Sequence, residues 1–312
     1  MRQAITSSYP GTDTRRLTIR WNDFHWCVDV IDCHELITGF RHILRGWDVS
    51  EISVTKSDDP AMVFWKSGKG YDWVSSWEKQ TASDLYGKPE SIVAAVCDFH
   101  YLSMGWIVDR FDNLLTLHCA GVEFNNGVVL FPGTHRAGKS LLSVALSARG
   151  HRIFGDDVLA INPQKGTALG LGMLPRVRLP LPPQAAGKEL RDFIVSNTAM
   201  RDDEHLYVEL DNDRLANAGQ SLPIHAIVQI RRTNKKTPAS IEPVATGSAL
   251  RALISQNYNT SMQASHLFDH LERIAKGVAT YSLTYHRIED AITVLEDCLA
   301  DNSTALRHGQ TA

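Results

Sequence analysis

The sequence lacks the features that would place it in a membrane or in an oxidising compartment. No segment approaches the roughly 18 apolar residues of a membrane span, and residues 1–16 are polar without the apolar run of a secretory signal. The five cysteines form no Cys-x-x-Cys pair and no disulfide-dense pattern, so we interpret them as small buried apolar groups. These absences predict a cytoplasmic protein without a membrane partner.

A strong charge of either sign is also missing. The chain carries 32 Lys and Arg against 35 Asp and Glu, and its formal net charge is -3. This composition provides no basic field for a polyphosphate backbone and argues against a nucleic-acid partner. With 43% hydrophobic residues in 312 positions, the chain can bury a sizeable core, and one or two globular domains are expected.

Tryptophan is absent from the later part of the chain. The seven indoles are Trp21, Trp26, Trp47, Trp65, Trp73, Trp77 and Trp106. This shift in composition predicts a Trp-rich, smaller mixed α+β N-terminal module over 1–114, a second domain over 115–300 and a frayed tail over 301–312. Core packing is the expected use of the indoles, and an aromatic ligand surface is the alternative.

Strand and helix patterns alternate in the second domain and predict an α/β fold. Residues 115–131 hold two β-rich runs around Asn126-Gly127, which is a hairpin signal. A helix is predicted over 139–149, and a short strand is predicted over 151–154. We expect a right-handed crossover to return this strand beside the one that precedes the helix.

A phosphate-binding loop is the most specific motif in the chain. Residues 133–140 fit the pattern G-x-x-x-x-G-K-[ST] at every fixed position, between an apolar strand and a helix. Glycines permit a tight wrap, and backbone N–H groups at the positive end of the helix face the phosphates. The predicted nucleotide-binding residues are Gly133, Thr134, His135, Arg136, Ala137, Gly138, Lys139, Ser140 and Leu141.

Two of these side chains have predicted roles of their own. Lys139 would meet the charge of the β- and γ-phosphates, and the Ser140 hydroxyl would bind Mg²⁺. The alternative is a glycine-rich turn that Ser140 caps.

Two adjacent aspartates follow the next predicted strand. Asp156 and Asp157 stand at its carboxyl end, which the crossover would bring near the phosphates. One carboxylate can bind Mg²⁺ while its neighbour accepts a proton from an attacking hydroxyl, as phosphoryl transfer requires. The alternative is a pair of turn aspartates that cap the next segment.

These segments together resemble the bacterial HPr kinase/phosphorylases, whose catalytic domain is similar to the nucleotide-binding core of phosphoenolpyruvate carboxykinases. LHCAGVEF resembles the family's strand with a His before the loop, PGTHRAGKS its P-loop, and GHRIFGDD its Gly-His-Arg-x-x-x-Asp-Asp segment. The resemblance runs from about Leu117 to Ile161 and more loosely to about Ala300. It implies a P-loop domain of that type, with ATP and Mg²⁺ as cofactors.

The resemblance also implies roles for individual residues. His118 would lie near the transferred phosphoryl, Asp156 would be the catalytic base for a seryl hydroxyl, and Asp157 would support Mg²⁺. Because HPr kinases are hexameric, a homo-oligomer is implied as well. Without the resemblance, His118 is only a strand histidine with no local feature that makes it a base.

The chain departs from the family pattern at three places. His135-Arg136 stand where the family usually has Ser-Gly, Leu141 stands for a Glu, and Thr167 stands for a Glu that supports the metal. In these departures the chain is more similar to the divergent HPr-kinase-related proteins, some of which are thought to act on peptides. The acceptor therefore does not follow from the family name.

The sequence as a whole predicts an ATP-dependent kinase that phosphorylates a hydroxyl, with a serine of a protein or peptide as the leading acceptor. The alternatives are a small-molecule kinase with the same site and a nucleotide-binding regulatory protein without efficient transfer. GTP and pyrophosphate remain open as phosphoryl donors.

Two basic segments lie outside these motifs. The first has two possible roles, and the second is expected to have a structural role only. Arg176 and Arg178, in a predicted loop, either clamp a phosphate or substrate or keep the loop soluble. The basic run over 231–236 is predicted to be a solvated hairpin tip.

Overall fold

The structure is a computed structural model of the 312-residue chain. It describes residues 12–21, 24–54, 59–76, 81–85, 87–110, 114–134, 137–182, 186–259 and 262–308. No helix in these ranges is long and apolar enough to cross a membrane.

The N-terminal part of the chain builds one mixed sheet with helices. Its strands are β1 (Thr14–Trp21), β2 (Phe24–Ile31), β3 (Asp48–Ile52), β4 (Met62–Ser67) and β5 (Gly70–Ser75), and its helices are α1 (Glu35–His42), α2 (Ala82–Leu85) and α3 (Ile92–Arg110). The strands pair in the order β3-β1-β2-β4-β5, and the β2–β4 pair is parallel. The long helix α3 is apolar on most of its faces and packs against α1 and β5.

The rest of the chain alternates strands and helices. Its first elements are β6 (Leu115–Leu117), β7 (Cys119–Phe124), β8 (Gly127–Pro132), α4 (Lys139–Ala148), β9 (Ile153–Gly155), β10 (Leu159–Asn162), β11 (Thr167–Leu169), β12 (Arg176–Arg178) and α5 (Lys188–Ser196). Next come β13 (Thr198–Arg201), β14 (His205–Val208), β15 (Ser221–Arg232), β16 (Ser240–Pro243), α6 (Thr246–Ser255), α7 (Ala264–Gly277), β17 (Ala279–Tyr285) and α8 (Ile288–His308). The mixture of helices with parallel and antiparallel strands confirms the α/β class.

Two sheets organise this second part. The large sheet runs β6-β10-β11-β15-β8-β7-β9, with β17 joined to β15 and β16 joined to β17. A small sheet, in the order β12-β14-β13, lies beside it. The arginine-bearing segment that was predicted as a loop is therefore the strand β12, because it pairs with β14.

The hairpin predicted around Asn126-Gly127 is present. β7 and β8 pair antiparallel with Phe124 opposite Gly127, so that Asn125 and Asn126 form the two-residue turn. Both turn residues have positive φ, at 49° and 62°, as a type I′ turn requires. Gly127 is the first strand residue, and any side chain there would collide with the ring of His225.

The strand after α4 does not lie beside β8, so that part of the crossover prediction is wrong. β9 pairs antiparallel with β7, and the other edge of β8 pairs in parallel with β15. The hairpin is the physical reason, because its short turn fixes β7 on the edge of β8 that β9 would have used. β8 and β9 still run in the same direction, and their carboxyl ends meet at one edge of the sheet.

The last helix, α8, ends at His308, and no glycine or proline interrupts residues 288–308. The frayed tail over 301–312 stays a prediction.

One apolar core joins the two parts of the chain. Trp26 contacts Trp47 and Trp106 with ring centroids 5.1 Å and 4.6 Å apart, and all three indoles are buried. The Trp47 Nε1–H donates to the carbonyl oxygen of Leu171 at 2.8 Å. The indoles in the described ranges thus serve mainly as core, and Trp77 lies outside those ranges.

Backbone contacts reinforce this junction. The segment after α1 pairs with residues 172–174, and the Leu174 N–H donates to the Ile43 carbonyl at 3.0 Å. Gly172 has φ +65°, and an added Cβ would collide with the carbonyl oxygen of Arg45. Since β12 begins two residues after Leu174, the N-terminal part fixes the position of this strand.

Candidate functional site

The predicted phosphate-binding loop wraps around the side chain of Lys139. This lysine is 6% exposed, and its Nζ donates to the carbonyl oxygens of Gly133 at 2.9 Å and Thr134 at 3.4 Å. Gly138 caps α4 with φ +98°, a conformation that glycine adopts without strain. The loop thus holds the Lys139 ammonium group beside the amino-terminal end of α4.

Other residues of the loop differ in how far they are buried. Gly133 packs closely, since an added Cβ would lie 3.0 Å from Ile230, whereas Thr134 is exposed. Leu141 is 5% exposed and packs into the core, so its backbone is the part suited to a ligand. His135 and Arg136 lie outside the described residues.

A cleft of about 580 Å³ lies over the loop. It is lined by His100, His118, Ala137, Gly138, Lys139, Ser140, Leu141, Asp156, Asp157, Arg176, Val177, Arg178, Leu179, Pro180, Pro182, Arg232 and Tyr258. The predicted catalytic residues therefore meet in one place although they come from the β6–β7 junction, the start of α4 and the segment after β9. Strand ends at one edge of the sheet explain the meeting.

Asp157 is held by two basic side chains. His118 Nε2 lies 2.9 Å from Asp157 Oδ1, and Arg176 approaches the other oxygen at 3.7 Å. Burial raises the pKa of Asp157, but the His118 hydrogen bond and the positive charge of Arg176 outweigh burial and hold the pKa well below its usual range. Asp157 is therefore ionised at neutral pH.

Asp156 has the opposite environment. Its Oδ2 accepts from the backbone N–H of Arg176 at 3.1 Å, and its buried Oδ1 has no hydrogen-bond partner. Burial, followed by the charge of Asp157, raises the pKa of Asp156 to about 7, although Arg176 and the nearby Ser140 lower it in part. The pKa values of the two adjacent carboxyl groups are thus shifted in opposite directions. Asp157 is charged at neutral pH, and Asp156 can exchange a proton near neutral pH.

The rest of the cleft holds four cationic side chains among apolar ones. Burial lowers the pKa of Lys139, while Asp157 and Asp156 act in the opposite direction. Arg176, Arg178 and Arg232 extend the positive lining toward the mouth. A concave surface of this kind attracts and holds polyanions such as nucleotide phosphates.

Arg232 was missed as a cleft residue because the run over 231–236 was interpreted as a hairpin tip. The run does follow β15, but β16 pairs with β17 rather than returning along β15. Arg232 instead ends a strand whose parallel neighbour β8 leads into the loop. The position of an arginine at the end of a strand in the same sheet is the signal that could have identified it.

His100 and Tyr258 were also missed, and no local motif marks them. His100 comes from α3, and burial, followed by the positive charge of Arg176, lowers its pKa to about 4, so its imidazole is neutral. The ring of Tyr258 lies 5.7 Å from that of His118, just after α6. Burial and the charge of Asp157 raise the Tyr258 pKa to about 12, so the phenol keeps its proton. Long-range packing alone brings these residues to the cleft.

The cleft fits a P-loop magnesium ion. No group of three or more His, Cys, Asp and Glu side chains suited to a metal occurs in the described part of the chain. A nucleotide-bound Mg²⁺ does not need one, because one hydroxyl, one carboxylate, phosphate oxygens and water complete its shell. The Ser140 hydroxyl and the ionised Asp157 line the same cleft and would be its protein ligands.

The chain has only weak similarity to known proteins. No protein-family model matches the sequence, and no curated protein matches it significantly. Among solved structures, the chain is similar to the Hpr(Ser) kinase/phosphatase from Coxiella burnetii, at 15% identity over 62% of this chain and 98% of that one. The TM-score is 0.30.

The raised pKa of Asp156 should appear in the pH dependence of stability. Between about pH 4 and pH 7 the folded chain keeps a proton on Asp156 that the unfolded chain has lost, so the free energy of unfolding falls as the pH rises. Asp156→Asn should remove up to ~1.4 kcal/mol per pH unit of this decline. Urea unfolding at several pH values measures it, with the exposed Asp269→Asn as the control. A profile that matches the wild type would contradict the assigned environment.

Proposed function

We propose that this protein is an ATP-dependent kinase that transfers the γ-phosphoryl group to a hydroxyl, with a serine of a protein or peptide as the acceptor. The observation that carries the proposal is the meeting of a Lys139-centred phosphate loop with two carboxylates of opposite character across one cleft. A glycine-rich turn without function would not need a buried Asp156 beside an ionised Asp157, and a pair of capping aspartates would not need a buried lysine in the same cleft.

Binding follows from the loop and the basic lining. The first backbone N–H groups of α4 and the Lys139 ammonium are directed at the β- and γ-phosphates, and Arg176 and Arg232 add positive charge. Ser140 and Asp157 would hold Mg²⁺, which neutralises charge that develops on the phosphoryl oxygens. His118 keeps Asp157 oriented and ionised through the 2.9 Å contact.

Transfer needs one proton acceptor. The Asp156 carboxylate, which lines the cleft, accepts the proton of the seryl hydroxyl as the seryl oxygen forms a bond to the γ-phosphorus. The bond between that phosphorus and the β–γ bridging oxygen breaks, and ADP leaves with the electron pair. A pKa of about 7 suits this role, because the carboxylate is available at neutral pH and still basic enough to take the proton.

Labelled phosphate provides the direct test. The purified chain is incubated with Mg²⁺ and ATP labelled at the γ-phosphorus, together with serine peptides and, separately, a panel of small alcohols and sugars. We expect acid-stable phosphoserine on at least one peptide. Labelling restricted to small molecules would identify a metabolite kinase. Tight nucleotide binding with no labelled product from either panel would favour a regulatory protein.

A further inference from the structure

A second, smaller cavity of about 250 Å³ adjoins the cleft. Its walls are Cys97, His100, Tyr101, Met104, Gly105, Val108, Asp157, Val158, Arg176 and Tyr258. We call this cavity the α3 pocket, because six of its ten lining residues belong to α3.

One face of α3 forms the apolar wall. Cys97, Met104 and Val108 recur at helical spacing, and the first two are nearly buried. Tyr101 lies on the same face but is 50% exposed, and Tyr258 on the opposite wall is 41% exposed. A helix that is apolar on most faces thus presents one face to an open cavity instead of to another element.

The α3 pocket lies on the acceptor side of the cleft. It shares His100, Asp157, Arg176 and Tyr258 with the cleft, but no residue of the phosphate loop lines it. The pocket meets the cleft at Asp157, which the proposed function places at Mg²⁺ near the γ-phosphoryl, whereas a nucleoside is separated from the γ-phosphate by two further phosphates. The group that enters here belongs to the molecule that receives the phosphoryl.

The size and chemistry of the pocket restrict that group. Sites that enclose a whole small molecule measure about 300–1,000 Å³, so this pocket holds one substituent of a larger acceptor. Its two charged side chains, Arg176 and Asp157, have opposite signs and lie 3.7 Å apart, and most of the remaining lining is apolar or aromatic. Apolar carbon therefore remains as the complementary chemistry, and the two tyrosines at the mouth offer rigid aromatic surface to a peptide backbone.

We propose that the α3 pocket binds a large aliphatic or aromatic side chain next to the phosphorylated serine of a peptide acceptor. The proposal rests on the proposed function, because it takes the serine hydroxyl to reach Asp156 in the adjoining cleft. Burying one such side chain corresponds to a preference of about tenfold or more over alanine at the same position.

Paired peptides test the preference. Serine peptides that carry leucine, phenylalanine or alanine next to the serine are compared by kcat/KM with ATP and Mg²⁺. We expect the leucine or phenylalanine peptide to exceed the alanine peptide by about tenfold or more. Equal values for all three peptides, in a chain that does phosphorylate them, would overturn the pocket assignment and leave the kinase assignment intact.

Variants locate the preference on α3. Gly105→Leu adds a large side chain at a helix position that lines the pocket, and leucine is a better helix former than glycine. Tyr101→Ser removes exposed aromatic surface at the mouth, and Phe268→Ser on α7, 44% exposed, is the matched control. The preference should fall toward one in the first two variants only, with ATP affinity unchanged. Weakened ATP binding in Gly105→Leu would mean that the nucleoside occupies the pocket.

A binding measurement separates the two proposals. The chain has six methionines, and Met104 lines the pocket, so methionine labelled with ¹³C at its methyl group reports occupancy without any transfer. Met104→Leu assigns the signal. We expect the phenylalanine peptide, and not the alanine peptide, to shift it. A shift without phosphorylation would retain the pocket and remove the kinase, whereas an unmoved signal in a chain that phosphorylates the peptide would remove the pocket.

Discussion

Asp156→Asn should lower the rate of phosphoryl transfer by about 10²–10⁴-fold, the usual contribution of a positioned base. Asparagine has nearly the same shape, so the contact with the Arg176 backbone N–H can persist through its carbonyl oxygen. What disappears is the ability of a buried, unpartnered oxygen to take a proton. Single-turnover transfer of labelled phosphate measures the chemical step directly.

The pH dependence of the same step provides a second signature. In the wild type the rate should rise with pH as Asp156 loses its proton, and then level off. The residual rate of Asp156→Asn should lack this rise. Asp157→Asn is the informative comparison, because we expect it to weaken binding of magnesium nucleotide. If Asp157→Asn instead lost the chemical step alone, the roles of the two carboxylates would be reversed.

Lys139→Met should weaken ATP binding by roughly 100-fold or more. Charge-assisted hydrogen bonds to phosphate each contribute about 1.5–3 kcal/mol, and an ammonium between the β- and γ-phosphates makes more than one. Methionine keeps the length of the buried stem, so the packing around the loop is retained. Isothermal titration with ATP and Mg²⁺ measures the loss of affinity.

The free energy of unfolding of Lys139→Met should change much less than its affinity for ATP. Burial already lowers the Lys139 pKa, which means that the folded chain holds a desolvated charge. Its removal relieves that cost but also leaves the Gly133 and Thr134 carbonyls without their Nζ donor, so the free energy of unfolding should change by no more than about 1–2 kcal/mol. Lys165→Met, at an exposed turn, is the matched control for the loss of a positive charge. Unfolding of Lys139→Met at ambient temperature would indicate a structural lysine and count against the phosphate site.

The features that could be predicted from the sequence are those that depend on local residues. The glycine with positive φ before α4, the lysine that follows it and the type I′ turn before β8 all depend on a few consecutive residues. Such segments have backbone requirements that only a few residue types meet, so spacing alone locates them. The strand-to-helix context of the loop was accessible for the same reason.

The strand order around β8 and several properties of the cleft could not be predicted, because they depend on contacts between residues that are distant in sequence. The competition between β7 and β9 for one edge of β8 is decided by a turn outside both β8 and α4. His100 reaches the cleft only because α3 packs across the junction between the two parts of the chain. The opposite pKa directions of Asp156 and Asp157 come from partners that are distant in sequence, such as His118 and Arg176.

The contact between Gly172 and Arg45 ties the two parts of the chain at a point where no side chain can intervene. Together with α3, it makes the described residues of the N-terminal part contribute to the wall of the cleft. If recombination joined a foreign N-terminal segment to this phosphate loop, the chemistry would remain with the loop. The choice of acceptor would arrive with the new segment.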